Sequence, residues 1–369
     1  MKKSKYFAIA LVLVLFSFAF AGCRGTGGVA SSWPGITVAG DTAYVAFNQS
    51  IFTLDLENDG RIRETLPANV EELRPRNPMF YHAPVLLDDS TLLVGSYNNR
   101  MFTINLDTGN ADDFFISARN RWIAQPLMEN GTIYAPNANG NLYALALNGS
   151  EKWAFETNAA IWATPVSDDG RIYMISQDHS LYALNASSGD LIWTLDIGAA
   201  SVNSPVLDEE GILYIGTFDS KVFAIDSDRG TILWEVETLD WVWGSPVLGP
   251  DGIIFVTDLG ANLYAIDTET REIVWEKQVD PTSSITGSPL LLGESLIVVT
   301  QSGVIASYDL SGERLWKEEF ATEDNPVEFH GTPVLAGEDT ILVSSLGSDA
   351  AVFAFNPELE LLWMFEPSN

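Results

Sequence analysis

The sequence predicts an all-β protein, an eight-bladed β-propeller made of four-stranded antiparallel blades. A two-residue motif recurs along the chain: a residue that is usually small, followed by Pro. A β-rich run follows each of these prolines. No segment after the N-terminal region shows a convincing apolar period of 3.6 residues. Four short strands in each repeat of about 42 residues are typical of a propeller blade.

Eight marker prolines define the repeats, and the spacings between them are 50, 42, 39, 40, 41, 43 and 44 residues. The markers are Pro34, Pro84, Pro126, Pro165, Pro205, Pro246, Pro289 and Pro333. A turn with Gly or Asp follows each marker and leads into a predicted strand. These strands are Thr42–Phe47, Thr91–Gly95, Thr132–Ala135, Arg171–Ile175, Ile212–Gly216, Ile253–Thr257, Ser295–Thr300 and Thr340–Ser344.

A ring explains why the repeats are so regular. One four-stranded sheet has two apolar faces and cannot bury either by itself, whereas eight sheets around an axis cover each other. A pair of facing sheets is the alternative, but eightfold repetition argues against it. The sequence leaves ring closure open, because blade eight is either complete in itself or completed by a strand from Val29–Trp33.

A second motif identifies a repeat family. It runs Tyr-Ala-x-Asn/Asp, then Gly, then Trp, as in Tyr182, Ala183, Asn185, Gly189 and Trp193. The motif resembles the PQQ-type repeat of quinoprotein-like and WD40-like propellers, and the resemblance covers about residues 31–369. It is most similar to BamB-type lipoproteins of outer-membrane protein assembly.

The Trp of the motif is expected to be structural, lying across the neighbouring blade with its N–H bonded to backbone. The residues at this place are Trp153, Trp193, Trp234, Trp275, Trp316 and Trp363. Repeats one and two lack the Trp, and we expect Arg63 and Asp113 in its place.

The first residues are predicted to be an export signal. A basic start precedes an apolar run at Phe7–Ala21, which is too short for a comfortable membrane span. The run ends in Phe20-Ala21-Gly22-Cys23, which resembles a bacterial lipobox whose Cys is lipidated. We expect a signal peptide at 1–22, a lipidated Cys23 with a flexible tether at 23–32, and the propeller at 33–369. An ordinary signal peptide with a coincidental Cys is the alternative.

Charge excludes several classes of function. The chain has 19 Lys and Arg against 50 Asp and Glu, a net charge of −31. This argues against nucleic-acid binding, which needs clustered cations, and against electrostatic docking on anionic lipid. A single Cys forms no intrachain disulfide, and His82, His179 and His330 lie too far apart in sequence to indicate a zinc site or a His-dependent triad.

The resemblance raises the alternative of an oxidoreductase. Alcohol and glucose dehydrogenases with this repeat use PQQ, and many alcohol-oxidising members have adjacent cysteines. Here the single Cys lies in the lipobox, and no catalytic Asp with a calcium cage can be picked out. We therefore expect no catalytic residue, no metal and no cofactor, with PQQ and Ca²⁺ binding, or binding of another small molecule, as the alternative function.

Two groups of residues are candidates for contact with a partner. Three residues before each marker, alternate repeats carry rings that are expected at the channel mouth; these are Tyr81, Trp162, Trp243 and His330. The segment 66–82 accounts for the longest spacing, and seven of the 12 Arg lie between 61 and 121. Because Arg and aromatic residues are favoured at interfaces, we expect partner contacts there. The candidates are Arg74, Arg76, Phe80, Tyr81, Arg119, Arg121 and Trp122. Structural packing of the rings, and a tolerated surface insertion, are the alternatives.

The sequence thus predicts a monomeric, exported, lipid-anchored propeller that binds an envelope protein and catalyses no reaction. Its loops would be presented by a rigid ring, and an extended partner segment adding to a blade edge is one mode of contact.

Overall fold

The structure is a computed structural model, and it describes residues 34–73, 78–322 and 326–367. The chain divides into two units, Met1–Ser32 and Trp33–Asn369. The expected signal peptide, Cys23, the tether and the segment Val29–Trp33 lie outside the described residues, as do Arg74 and Arg76.

The first four blades each contain four strands in chain order. Blade one has β1 (Gly35–Ala39), β2 (Thr42–Phe47), β3 (Ser50–Asp55) and β4 (Arg61–Leu66). Blade two has β5 (Val85–Asp88), β6 (Thr91–Gly95), β7 (Met101–Asn105) and β8 (Ala111–Phe115). Blade three has β9 (Leu127–Glu129), β10 (Thr132–Pro136), β11 (Asn141–Ala146) and β12 (Glu151–Glu156). Blade four has β13 (Val166–Asp168), β14 (Arg171–Ile175), β15 (Ser180–Asn185) and β16 (Leu191–Asp196).

The other four blades repeat the pattern. Blade five has β17 (Val206–Leu207), β18 (Ile212–Thr217), β19 (Lys221–Asp226) and β20 (Thr231–Glu237). Blade six has β21 (Val247–Leu248), β22 (Ile253–Thr257), β23 (Asn262–Asp267) and β24 (Glu272–Gln278). Blade seven has β25 (Leu290–Leu292), β26 (Ser295–Val299), β27 (Val304–Asp309) and β28 (Arg314–Glu319). Blade eight has β29 (Glu328–Ala336), β30 (Thr340–Leu346), β31 (Val352–Phe355) and β32 (Leu361–Phe365). Short 3₁₀ turns occur at Leu56–Asn58, Val70–Leu73 and Pro250–Gly252.

These strands form eight four-stranded sheets, and in each sheet the strands follow one another in sequence order. All pairings are antiparallel, as in β1 with β2 and β2 with β3. The eight-bladed β-propeller predicted from the repeats is confirmed. The strand predicted after each marker proline is the second strand of its blade, and its position agrees with the prediction to within two residues.

The residue before the marker Pro joins neighbouring blades. Backbone N–H groups donate to a hydroxyl of the next blade at Thr164 to Ser204 Oγ (3.1 Å) and at Ser204 to Ser245 Oγ (3.0 Å). The same bond runs from Ser288 to Thr332 Oγ1 (2.9 Å). The small residue in the repeat therefore supplies an acceptor that links one blade to the next.

The first strands of neighbouring blades meet, since β29 of blade eight contacts both β25 and β1. The backbones come very close there. A Cβ on Gly287 would lie 2.0 Å from the Gly331 carbonyl oxygen, and a Cβ on Gly244 would lie 2.5 Å from the Gly287 carbonyl oxygen. Only glycine permits this approach, so the blades converge at their first strands and the fourth strands lie outermost.

The Trp of the fourth strand packs on the turn of the next blade. Its indole N–H donates to a backbone carbonyl, from Trp153 to Ala186 (3.1 Å) and from Trp193 to Ser227 (2.9 Å). Trp193 also lies against Gly230, where a Cβ would come within 2.5 Å of the ring. Each of the six Trp residues stands opposite a small residue of the third strand. These pairs are Ala144–Trp153, Ala183–Trp193, Ala224–Trp234, Ala265–Trp275, Ser307–Trp316 and Ala354–Trp363.

Blade one differs from the expectation at this place. Thr53, its third-strand residue, is paired with Glu64, and a Cβ on Gly109 of the next blade would lie 2.9 Å from Glu64 Oε1. Glu64 therefore replaces the Trp, and the prediction of Arg63 there is wrong by one residue, because Glu64 follows Gly60 at the same four-residue spacing at which Trp193 follows Gly189. Arg63 instead forms ion pairs with Asp41 (2.8 Å) and Asp55 (3.1 Å).

The ring closes by packing blade eight directly on blade one. Leu342, Val352 and Phe365 share one hydrophobic cluster with Val45 and Phe52. All four strands of blade eight come from the C-terminal repeat. The closure left open by the sequence is thus made by side-chain burial between two complete blades.

Replacing Trp193 by Ala is expected to lower the free energy of unfolding by about 3 kcal/mol, because it empties the space between blades four and five and leaves the Ser227 carbonyl without its donor. Ile192→Ala in the same strand is the control, since Ile192 is 44% exposed. Urea denaturation followed by circular dichroism measures both. Equal losses in the two variants would contradict the prediction.

Candidate functional site

One face of the ring carries the candidate residues. The start of β1 pairs with the end of β2, since Gly35 lies opposite Ala46. Connections between blades and hairpins between second and third strands therefore lie on this face, which we call the mouth face. Hairpins between third and fourth strands lie on the opposite face.

A recurrent backbone bond builds the mouth face. A residue one or two positions after the second strand donates its N–H to the carbonyl five residues before the marker Pro. Examples are Phe218 to Ala200 (3.0 Å) and Leu259 to Trp241 (2.8 Å). The same bond occurs in blades two, three, four and seven. The hairpin tip and the incoming connection are thereby held together, so that side chains from both form one surface.

The mouth face of blades two and three carries a stack of three side chains. Tyr81 stacks on Tyr97, with ring centroids 5.8 Å apart and planes at 29°. The Arg121 guanidinium lies 3.9 Å from the Tyr97 ring centroid and donates a hydrogen bond to the Tyr97 hydroxyl. Burial, with a smaller contribution from Tyr97, raises the pKa of Tyr81 to about 12. Tyr81 therefore stays neutral at physiological pH.

Two arginines of this sector are not neutralised. Arg119 and Arg121 are exposed, and neither lies within ion-pair distance of a carboxylate in the described part of the chain. Arg100 and Arg171, by contrast, each have an aspartate partner, at 2.7 Å and 2.5 Å. In a chain of net charge −31, Arg119 and Arg121 therefore form a local cationic site.

A second stack lies across blades five and six. Phe218 stacks on Trp241 (5.4 Å, 22°) and on Trp243 (5.3 Å, 28°). All three rings are half-buried. Sequence reasoning placed Trp243 here, but it missed Phe218. Phe218 and Tyr97 share one position in their hairpins, two residues after Gly216 and Gly95, and this shared position is the signal that would have found both.

The other two predicted mouth residues take different environments. Trp162 occupies the equivalent place in blade four and is half-buried. His330 lies within β29 and is 6% exposed, with its Nε2 atom 3.3 Å from Glu328 Oε2. Burial lowers the pKa of His330, and the hydrogen bond to Glu328 opposes this shift.

Two predicted contact residues are buried. Phe80 packs in the cluster of blades one and two, and Trp122 packs against Phe115 and Tyr143 between blades two and three. Both are 0% exposed, so no partner can touch their side chains. The structure corrects this part of the contact surface. Their chain neighbours Tyr81 and Arg121 are half-buried and exposed, so burial here is decided by packing against the adjacent blade.

His82 holds the segment that carries Tyr81. The Gly95 N–H donates to His82 Nε2 (3.1 Å), and His82 Nδ1 lies 2.7 Å from the Ala83 carbonyl oxygen, to which it donates. The ring is 7% exposed. Burial lowers the pKa of His82 to about 4, although the bond to Ala83 opposes the shift. The neutral ring is thus part of the fold.

The donor set does not fit a PQQ and calcium centre. Such a centre needs converging carboxylate and amide oxygens. Among the described residues, no three His, Cys, Asp or Glu side chains come close enough together to hold a metal ion. We derive no catalytic step from this face. In the same residues, no helix has the length and apolar character needed to cross a bilayer.

Together, the ring of PQQ-like repeats and the mouth face with its stacked side chains define an eight-bladed propeller of the quinoprotein-like class. The family described as "Outer membrane protein assembly factor BamB" matches residues 138–241 and 219–363. The chain belongs to this family, and the family resemblance predicted from the repeat motif is confirmed.

Solved structures share the fold. BamB from Moraxella catarrhalis is 14% identical with a TM-score of 0.69, and the similarity covers 86% of this chain and 95% of that one. The computationally designed Ika8 protein is 12% identical with a TM-score of 0.72, covering 89% and 97%. An uncharacterized protein of Rickettsia conorii is 25% identical over 131 residues, which are 31% of this chain and 32% of that protein. The chain thus spans about a third of the length of that curated relative.

Acidification is expected to destabilise the fold through His82. The unfolded chain binds a proton at the usual pKa of 6.5, whereas the folded chain binds it only near pH 4. The stability contribution is present above pH 6.5 and is lost as the pH falls towards 4. From pH 7 to pH 5 this loss is about 2 kcal/mol. Urea denaturation at both pH values should show a smaller loss in His82→Gln than in the wild type. An equal loss would contradict the assignment.

Proposed function

We propose that this protein is a non-catalytic, lipid-anchored scaffold that works outside the cytoplasm in the assembly of outer-membrane or other envelope proteins. Membership of the BamB family supports this role. Lipidated Cys23 would hold the propeller at a bacterial membrane, and the tether would let the ring reach its partner.

The partner binds the mouth face of blades two to six. The observation that carries this proposal is the pair of stacks, Arg121–Tyr97–Tyr81 and Trp241–Phe218–Trp243. Stacked side chains are already ordered, so they lose little conformational entropy when a partner covers them. Arg, Tyr and Trp are also the residues that dominate binding energy at protein interfaces.

Charge reversal at the mouth face is expected to abolish partner binding. In Arg119→Glu/Arg121→Glu, the two unneutralised cations become anions beside Tyr97. The control is Arg229→Glu/Arg271→Glu, which has the same charge change in hairpins of the opposite face. Cross-linking in intact cells followed by mass spectrometry should recover components of outer-membrane protein assembly with the wild type and the control. We expect recovery to fall at least about tenfold for the mouth-face variant.

Two outcomes would overturn the proposal. Unchanged cross-linking of the Arg119→Glu/Arg121→Glu variant would exclude blades two and three from the interface. Recovery of only cytoplasmic proteins with the wild type would exclude the envelope role.

Replacing Cys23 by Ser is expected to release the protein from membranes, because a lipidated Cys supplies the buried methylene groups that hold the anchor. Fractionation of cells into membrane and soluble extracts, followed by immunoblotting, measures this. The matched control is Ser31→Ala, which changes the tether and leaves Cys23 in place. Continued membrane retention of the Cys23→Ser variant would refute the lipid anchor.

A further inference from the structure

The outer part of the interface between blades two and three lacks the Trp of other blades. In blade four the Trp lies four residues after the turn glycine, from Gly189 to Trp193, and the residue at the same spacing in blade two is Asp113. In the structure, however, Asp112 lies opposite Thr103 and Asp113 lies opposite Phe102, so Asp112 and not Asp113 stands in the place of the Trp. Asp113 faces the other side of the sheet, where its carboxylate binds Arg100 (2.7 Å), and the short, exposed Asp112 leaves the next blade uncovered.

A cleft of about 330 Å³ opens at this place. Its size falls in the range of ligand pockets. It is lined by residues of blade two and by the turn of blade three, including Leu87, Asp88, Thr103, Phe114 and Leu147.

The cleft lies where other blade interfaces hold an indole ring. Thr103 follows the aromatic residue of the third strand as Ala183 does in blade four, where it faces Trp193. The turn of blade three has the same length and glycine position as the turn of blade seven, so Leu147 corresponds to Leu310. The Leu310 carbonyl accepts the Trp275 indole N–H (2.9 Å).

Blades two and three do not approach each other closely enough to fill the space of the missing indole ring. The Gly149 turn rests on blade two through backbone, since a Cβ there would lie 2.4 Å from the Phe114 carbonyl oxygen. This contact spaces the blades and leaves the cleft beside it.

The interface between blades one and two also lacks the Trp, but segment 67–70 covers it. The Ala68 N–H donates to the Gly109 carbonyl (2.7 Å), and Asn69 exchanges two hydrogen bonds with the backbone of Ala111.

We propose that the cleft between blades two and three receives the indole side chain of a tryptophan on the partner protein. An indole fits this cleft because this chain's own repeats place an indole in the corresponding space elsewhere in the ring. Leu147, 50% exposed at the rim, adds apolar surface for the polypeptide that carries the tryptophan. The inference rests on the proposed scaffold function, because it names how a partner is held.

Fluorine NMR of the whole protein with 5-fluoroindole and with N-acetyl-5-fluorotryptophanamide tests the cleft without the partner. Both probes should bind the wild type. Binding should weaken at least about tenfold in Asp112→Trp, which supplies the missing ring opposite Thr103. Asp113→Trp is the matched control, because Asp113 lies opposite Phe102 on the other side of the sheet, and it should bind as the wild type does. Circular dichroism verifies folding of each variant.

Thr103→Met keeps the test valid if Asp112→Trp fails to fold, because it fills the floor of the cleft from another strand and should weaken binding in the same way. Absence of probe binding to the wild type, or unchanged binding in the filled variants, would overturn the inference. The Arg119→Glu/Arg121→Glu cross-linking result is independent of these probes. If the Arg119→Glu/Arg121→Glu variant loses the partner while neither probe binds the wild type, the indole site is rejected and the scaffold function stands.

A second experiment tests whether the tryptophan that enters the cleft belongs to the partner protein. The partner recovered with the wild type should be recovered at least about tenfold less with Asp112→Trp and equally well with Asp113→Trp. Probe binding with undiminished partner recovery in Asp112→Trp would show a site for free aromatic molecules and overturn the assignment to a partner side chain.

Discussion

Contact between neighbouring blades is the constraint on which the rest of the structure depends. Each blade is a four-stranded sheet that buries its faces only against the next blade. Near the axis the blades meet through glycine backbones and through hydroxyls such as Ser204 and Ser245. Farther out, a Trp such as Trp193 spans the gap and satisfies its N–H on the next turn. Small residues inside and large rings outside produce the wedge shape that a closed ring requires.

This arrangement separates stability from binding. The strands and the Trp residues pack against neighbouring blades and stabilise the ring. The connections on the mouth face do not carry this packing, so they can differ from blade to blade. Blades two and three present Tyr97 under Arg121, and blades five and six present Phe218 between two tryptophans. Each stack joins a hairpin tip to a connection that backbone bonds already hold in place. A partner therefore meets ordered side chains on a rigid ring.

Sequence reasoning reached part of this surface. The spacing from the marker proline located Tyr81 and Trp243, because that offset is a fixed position in every blade. It gave no information on Tyr97 and Phe218, which belong to the second hairpin and approach only when the blade folds. It also could not show that Trp122 turns into the core, because in a loop the side-chain direction is not set by a strand's alternation.

The sequence by itself determined the number of blades, the position of their second strands and the family, because each of these follows from local patterns repeated at a constant interval. Only the tertiary structure decided which side chains lie side by side on the mouth face, that Asp112 lies opposite Thr103, and that a cleft remains beside Thr103. These features depend on bulges and on the distance between blades. Both are set when residues far apart in sequence compete for the same space.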